Sequence, residues 1–274
     1  MRVSMIITTY NWPDALDLVL RSVMEQTADD FEVIIADDGS GADTDAVVKK
    51  VLLDAAFPWR QVKHADNGIR QARIKNLGVK HASGQYLVFI DHDVVLHPDF
   101  LKDHLKMAQP GCFLQGKRAF LSNAQTDGAF QSRQILAYSP FSKGLENRKN
   151  AIRLPELGKL LGRSKSFQTS LRGCNLSMSR SDFMAVDGYD ETFDQLWGRE
   201  DSDICYRLFH SGVKIKNLWF SALQYHLFHP SIKNRQRDRL DEELQIIRKS
   251  RRSRAIKGYS SLSAEGTVAA GSDL

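Results

Sequence analysis

Three short apolar runs punctuate the first third of the chain: Val3 to Thr8 (VSMIIT), Phe31 to Ala36 (FEVIIA) and Tyr86 to Ile90 (YLVFI). Each is rich in β-branched or aromatic residues and closes in polar ones, the pattern of strands buried on both faces of a parallel sheet. Between them the period changes. Ala15, Leu18, Val19, Ser22 and Val23 form a helical stripe within Asp14 to Gln26, and Ala72, Leu77 and Val79 do so within Ile69 to His81. Asn11, ahead of Trp12 and Pro13, marks the first helix start: its side chain can cap free NH groups, and proline needs no donor in the first turn. With a further strand near Gln61 to His64, the alternation predicts an α/β fold with a mostly parallel sheet flanked by helices. Ligands of such sheets sit beyond the carboxyl ends of the strands.

Past residue 120 the pattern loosens. Ser139 to Gln168 is basic and rich in Gly and Ser and reads as a long excursion with a short helix over Leu154 to Leu161. Leu171 to Met178 is expected as a strand, Glu200 to His210 as a helix and Val213 to Leu218 as a strand. Asn234 to Arg254 is helical, with Leu240, Leu244 and Ile247 on one stripe. The expected organisation is one α/β domain over residues 1–230, a basic helical extension over 231–257 and a disordered tail over 258–274, where bulky apolar residues are scarce.

Composition narrows the class. Of 274 residues, 42% are apolar and 26% charged, which excludes wholesale disorder, collagen and coiled coil. No apolar run reaches the roughly 18 residues of a membrane span, and Thr8 and Thr9 interrupt the opening run too early for a signal peptide. Cys112, Cys174 and Cys205 form no CxxC pair, so neither a disulfide framework nor a structural zinc site is indicated. A cytoplasmic protein is expected. The net charge of +5 is unevenly placed: Lys233 to Lys257 holds 10 Lys and Arg against 4 Asp and Glu. The rest of the chain is therefore near neutral, and no nucleic-acid partner is expected. The basic helix is instead expected to bring the chain to an anionic membrane, peripherally at its inner face.

The ends of the strands carry the candidate chemistry. Asp91-His92-Asp93 follows a buried strand directly, and two carboxylates in the turn after a strand can converge on a hard divalent cation. Asp37-Asp38-Gly39-Ser40 follows another; there a carboxylate can accept the imide NH of uracil or bond a ribose hydroxyl. Trp197-Gly198-Arg199-Glu200-Asp201-Ser202-Asp203 places three carboxylates at a helix start. Helix dipoles favour that arrangement structurally, but Trp197 and Gly198 also offer an aromatic platform and close approach for a sugar, and a carboxylate there can act as general base. One of His226 and His229 is a candidate further metal ligand. Gly111 to Lys117 matches GxxxxGK but has Arg118 where a phosphate loop needs Ser or Thr, and no GxGxxG occurs.

Together, Thr8-Thr9-Tyr10-Asn11, Asp37 to Ser40, Asp66-Asn67-Gly68 with Arg70, Lys75 and Asn76, Asp91 to Asp93 and Trp197 to Asp203 resemble the family 2 glycosyltransferases of GT-A fold. The segment WGREDSD is similar to the acceptor motif of β-galactosyltransferases and chondroitin-type polymerases. The stretch from Gly68 to Asn76 is similar to a bacterial subgroup that usually has Arg where Lys75 stands; lysine keeps the charge but loses the bidentate fork. The resemblance implies that Thr8, Tyr10, Asn11 and Asp38, with Asp37, hold the base and ribose of a nucleotide-sugar donor, and that Arg70 or Lys75 contacts the nucleotide. It implies that Asp91 touches ribose, that Asp93 and His226 hold Mn2+ or Mg2+ with Asp91 alongside, and that Asn175 lines the donor sugar. Glu200, with Trp197 and Gly198, would bind a saccharide or lipid-linked saccharide acceptor, and Asp201 would be the base of an inverting transfer in bacterial polysaccharide or lipopolysaccharide synthesis. A sugar-phosphate nucleotidyltransferase would instead want a glycine-rich loop after the first strand. A nucleic-acid or membrane-surface binding module would rest on the basic segment alone.

Overall fold

The computed structural model describes residues 2–134, 138–169, 171–195, 198–230, 237–263 and 266–271. The three apolar runs are the strands β1 (Val3–Thr9), β2 (Phe31–Asp37) and β4 (Tyr86–Asp91), joined in parallel with β3 (Trp59–Lys63). All seven residues of β1 and of β2 are buried, which explains why they read as unbroken runs. The helices α1 (Pro13–Met24), α2 (Ala42–Val51) and α3 (Gln71–His81) make the crossovers. Two apolar cores lie on either face of the sheet, one against Leu16, Val19 and Val23 of α1, the other against Ala72, Ile74 and Leu77 of α3.

Beyond β4 the chain adds β5 (Val94–Leu96), α4 (Phe100–Met107), β6 (Cys112–Gln115), β7 (Ala119–Phe120), α5 (Asn123–Ser132), α6 (Pro155–Leu161), β8 (Ser164–Lys165), β9 (Leu176–Ser179), α7 (Arg180–Ala185), α8 (Glu200–His210), β10 (Lys214–Asn217), β11 (Gln224–His226), α9 (Arg237–Ser250) and β12 (Thr267–Gly271). The large sheet has the order β12-β3-β2-β1-β4-β9-β6-β10-β8. Only β12, β9 and β8 oppose the common direction, so the sheet is mostly parallel, as expected. A second sheet, β5-β11-β7, stands beside the end of β4 and carries His226 on β11.

Three expectations are corrected. Asn11 does not cap α1: its Oδ1 accepts the Gly41 amide at 2.9 Å, tying the end of β1 to that of β2, and Trp12 precedes the helix without a side-chain cap. The strand expected from Leu171 begins at Leu176, after residues 172–175 have turned past the start of α8. The stretch 258–274 is not a disordered tail over its described residues. Thr267–Gly271 pairs antiparallel with Trp59–Lys63 along their full length, because the edge of β3 offers unpaired backbone groups and pairing with it needs no bulky side chain. Likewise Leu244 and Ile247 of α9 are buried against Phe193 and Tyr206, so these apolar positions face the protein. Arg252, just beyond, reaches the buried carboxylates of Asp190 and Asp203. Among the described residues no helix is long and apolar enough to cross a membrane.

Candidate active site

The parallel register delivers the polar strand ends to one place. Thr8 lies opposite Ala36 on one side and Asp91 on the other, so the chain beyond β2 and the end of β4 flank the end of β1. There a cavity of about 570 Å³ opens, lined by Thr8, Tyr10, Asp38, Asp91, Asp93, Gly198, Glu200 and Asp201, together with Trp12, Gln71, His92 and His229. The hydroxyls of Thr8 and Thr9 are buried without a partner among the described residues.

On the β2 side Asp38 is almost fully buried. Its Oδ1 lies 2.6 Å from His64 Nε2 and its Oδ2 accepts the Arg70 amide at 3.1 Å. Tyr10 donates its hydroxyl to Asp66, and Gly39 lets the Asp66 loop close over β2: at φ +96° it has the left-handed backbone, and a Cβ there would lie 2.6 Å from Asp66 Cα. Other expected donor residues do not line the cavity. Asp37 accepts from Ser40 and Gln61, and the Arg70 guanidinium bonds the Ala65 carbonyl. Asn175 accepts from His104 and donates to the Lys117 and Ala222 carbonyls, so its amide is engaged inside the fold. Trp197 lies outside the described residues.

Across the cavity, Asp93 Oδ2 lies 3.2 Å from His226 Nε2 and 3.4 Å from His229 Nε2. One ligand atom from each of the three residues falls within 4.8 Å of the others. The second nitrogen fixes each tautomer. His226 Nδ1 is 2.7 Å from the Leu227 carbonyl and His229 Nδ1 is 3.1 Å from the Pro230 carbonyl, and carbonyls only accept, so Nδ1 carries the proton. In the neutral rings both Nε2 atoms are left as lone-pair donors, the arrangement by which proteins orient metal-binding histidines. Among the described residues Asp93 Oδ1 is buried and unpartnered, which leaves a further oxygen for a cation. Burial alone would raise the Asp93 carboxyl, but where the rings of His226 and His229 carry a proton on Nε2 as well as on Nδ1, their hydrogen bonds hold it well below the usual carboxylate range. Burial and the neighbouring Asp93 push Asp91 up to about 7, the reverse of its partner. Trp12 stands edge-on between His92 and His229, with ring centroids 5.9 and 5.8 Å away.

Lys75 corrects the expectation of a nucleotide contact. Its side chain is 2% exposed and does not line the cavity, and its ammonium donates to Glu200 Oε1 and Asp201 Oδ1, each at 2.9 Å. Burial works against this charge, yet the carboxylates of Asp201 and Glu200 hold it well above the ordinary lysine range. Glu200 is buried and its carboxyl raised, whereas the Asp201 side chain is 23% exposed to the cavity. Gly173 makes room for it, since a Cβ at that position would sit 2.1 Å from the Asp201 carboxylate. Asp203, the third acid of the motif, is turned inward in a fully buried ion pair with Arg207. Sequence reasoning missed Trp12, His64 and the Lys75 pairing; only Trp12 carried a local signal, beside the first strand end.

The model for N-terminal domains of galactosyltransferases matches residues 162–230. Among known proteins the chain is 25% identical to chondroitin synthase of Escherichia coli over 85% of its own length and 35% of that protein's. It thus spans about a third of that relative. Among solved structures it superposes on Staphylococcus aureus TarS 1-349 in complex with UDP with a TM-score of 0.61 and 19% identity, covering 92% of this chain and 65% of that one. It superposes equally, at 0.61 and 17% identity over 91% and 63%, on the mannosyltransferase PcManGT of Pyrobaculum calidifontis in complex with GDP-Man and Mn2+. These structures share the GT-A fold expected from the strand-end motifs. The model for glycosyl transferase family 2 covers residues 4–166, more than half the chain, and with the fold and strand-end motifs in agreement the chain belongs to glycosyl transferase family 2.

Proposed function

We propose that this chain moves a sugar from a nucleoside diphosphate, preferentially a uridine nucleotide, to a hydroxyl of a saccharide acceptor with inversion at the anomeric carbon. The observation that carries the reading is that the cluster of Asp93, His226 and His229 and the Asp201 carboxylate meet at one cavity. Asp93 and the two imidazoles would hold a divalent cation, with Asp91 beside them, and their mixed oxygen and nitrogen donors suit Mn2+ better than Mg2+. Once bound, that cation neutralises charge developing on the departing diphosphate.

The chain's own residues do the rest. Asp38, held by His64 and the Arg70 amide, presents a fixed acceptor to an imide NH. The unpartnered hydroxyls of Thr8 and Thr9 supply further donors nearby. Asp201 has Oδ1 tied to Lys75, so Oδ2 is the atom left to take the acceptor proton. Glu200, deeper and tied to the same ammonium, positions the acceptor rather than acting as base. Attack from the side of Asp201, on the face away from the departing diphosphate, inverts the centre in one displacement, and holding both substrates supplies much of the acceleration.

A panel of nucleotide sugars with Mn2+, scored for release of nucleoside diphosphate, tests this. Turnover should cease in excess chelator and return with Mn2+, and UDP affinity should fall at least tenfold in Asp38→Ala. Full turnover in chelator, or tight binding of ADP where UDP fails, would overturn it.

A further inference from the structure

The acidic cavity has a positively charged neighbour. Lys117, Arg118, Lys149, Lys165 and Arg172 have no carboxylate partner among the described residues, whereas Arg153, Arg207 and Lys75 nearby are each paired. Lys117 and Lys149 line one small depression, of about 90 Å³, with Asn150 and Trp219. The Lys117 ammonium sits 5.3 Å from the centre of the Trp219 ring, which is 37% exposed. Burial lowers the Lys117 pKa, and repulsion from Arg172, Lys149 and Lys165 lowers it further, so these cations act on one another without relief.

The strip reaches the cavity at two places, beside Asp201 and beside the histidine cluster. Arg172 adjoins Gly173, whose Cα faces the Asp201 carboxylate, and its amide is fixed by Gln115 Oε1 at 2.9 Å. Arg118 stacks over Phe120, whose ring lies 5.1 Å from that of His226, and its buried Nε has no partner among the described residues. Lys165 is carried on β8, paired with Ile215 of β10, the strand that leads to Trp219. Cations thus run from the cavity outward, with Arg172 beside Asp201 at the inner end, and end on an exposed indole. Such rings stack on pyranose faces, and guanidinium and ammonium groups bind carboxylates and phosphates.

We propose that this strip is the acceptor track and that the acceptor is an anionic saccharide bearing carboxylate or phosphate groups along its chain. The proposal rests on the reading of Asp201 as the base, because it is the track's inner end at Asp201 that makes it an acceptor track. Binding to the full chain with UDP and Mn2+ present, followed by indole fluorescence at low ionic strength, provides the test. The probes are tetragalacturonate, a glycerol phosphate tetramer and neutral maltotetraose. At least one anionic probe should bind at least tenfold tighter than maltotetraose, and whichever of the two binds tighter identifies carboxylate or phosphodiester as the source. The double substitution Lys117→Ala with Lys149→Ala should weaken that probe at least tenfold, as should Lys149→Glu alone at its exposed position, while Lys117→Arg with Lys149→Arg keeps it. UDP affinity, measured separately, should be unchanged in all of these variants. Equal binding of neutral and anionic probes, or full anionic binding by the double alanine variant, overturns the track. Failure of the wild-type chain to bind any nucleoside diphosphate would instead overturn the transferase reading, whatever the probes do.

Discussion

Replacing Lys75 by methionine separates two roles that the sequence could not. The ammonium is buried and donates to two carboxylates at 2.9 Å, so its loss strands Glu200 and Asp201 beside each other without a counter-ion. Removing one partner of a buried ion pair costs roughly 3–5 kcal/mol, and because Asp201 is partly solvated the lower end, about 3 kcal/mol, is expected. For a chain of this size that is a fall in Tm of about 6 °C. Turnover should drop at least tenfold, since the proposed base loses the group that fixes its Oδ1, and Lys75→Arg should recover part of it by restoring charge without the same fit. UDP affinity should not move, because Lys75 does not line the cavity that holds Asp38. Thermal unfolding, calorimetry with UDP and single-turnover transfer read the three quantities independently. A Lys75→Met protein that lost UDP binding but kept its melting temperature would return Lys75 to the donor and refute the ion-pair argument.

Asp201→Asn keeps shape while removing basicity, and should lower kcat on the order of a hundredfold with UDP affinity intact, whereas Glu200→Gln should raise acceptor KM more than it lowers kcat; the reverse pattern moves the base to Glu200. His226→Ala and His229→Ala should each weaken Mn2+ binding at least tenfold by calorimetry, because both Nε2 atoms face Asp93, and an unchanged affinity in either removes that residue from the cluster. Buried His104, which donates to Asn175 and accepts from Ser177, has its pKa pushed by burial down to about 3. Its folded value lies below the unfolded one, so the unfolded chain takes up the proton first. Stability is therefore full above about pH 6.5 and is lost as pH falls towards 3, by roughly 2 kcal/mol at pH 5. The decline in Tm between pH 7 and 5 should be shallower in His104→Gln, and equal slopes would contradict this.

The legible parts of the site are those written within a few residues. A strand buried on both faces leaves a continuous apolar run, and its end is marked by the first polar residues, which is why the hydrophobic pattern alone puts Thr8, Asp38, Asp91 and Asp93 at one mouth. The helix from Glu200 to His210 is legible for the same reason, its acids gathering at the start and its basic residues at the end. The edge strand at Thr267 is not, because it is held by backbone pairing to β3, some two hundred residues earlier, and small side chains leave no periodic mark. Nor can sequence separate Asp37 from Asp38. Asp37 closes β2 and Asp38 follows it, and only the positions of Gln61 and His64 on and just beyond β3 decide which carboxylate is engaged by the fold and which meets the cavity.

Lys75 shows the consequence for function. Its sequence neighbours place it beside the donor motif, yet a lysine on a buried helix face must find carboxylates wherever packing brings them, and the start of α8 lies 125 residues away. Once paired, it makes the two acids unequal: Glu200 is enclosed with the ammonium, whereas Asp201 shares it and still opens to the cavity past Gly173. The sequence motif offers three acids at one helix start, and tertiary packing sorts them, turning Asp203 inward to Arg207, holding Glu200 at depth and leaving Asp201 partly open to the cavity. The proposal of Asp201 as base thus rests on what engages its neighbours.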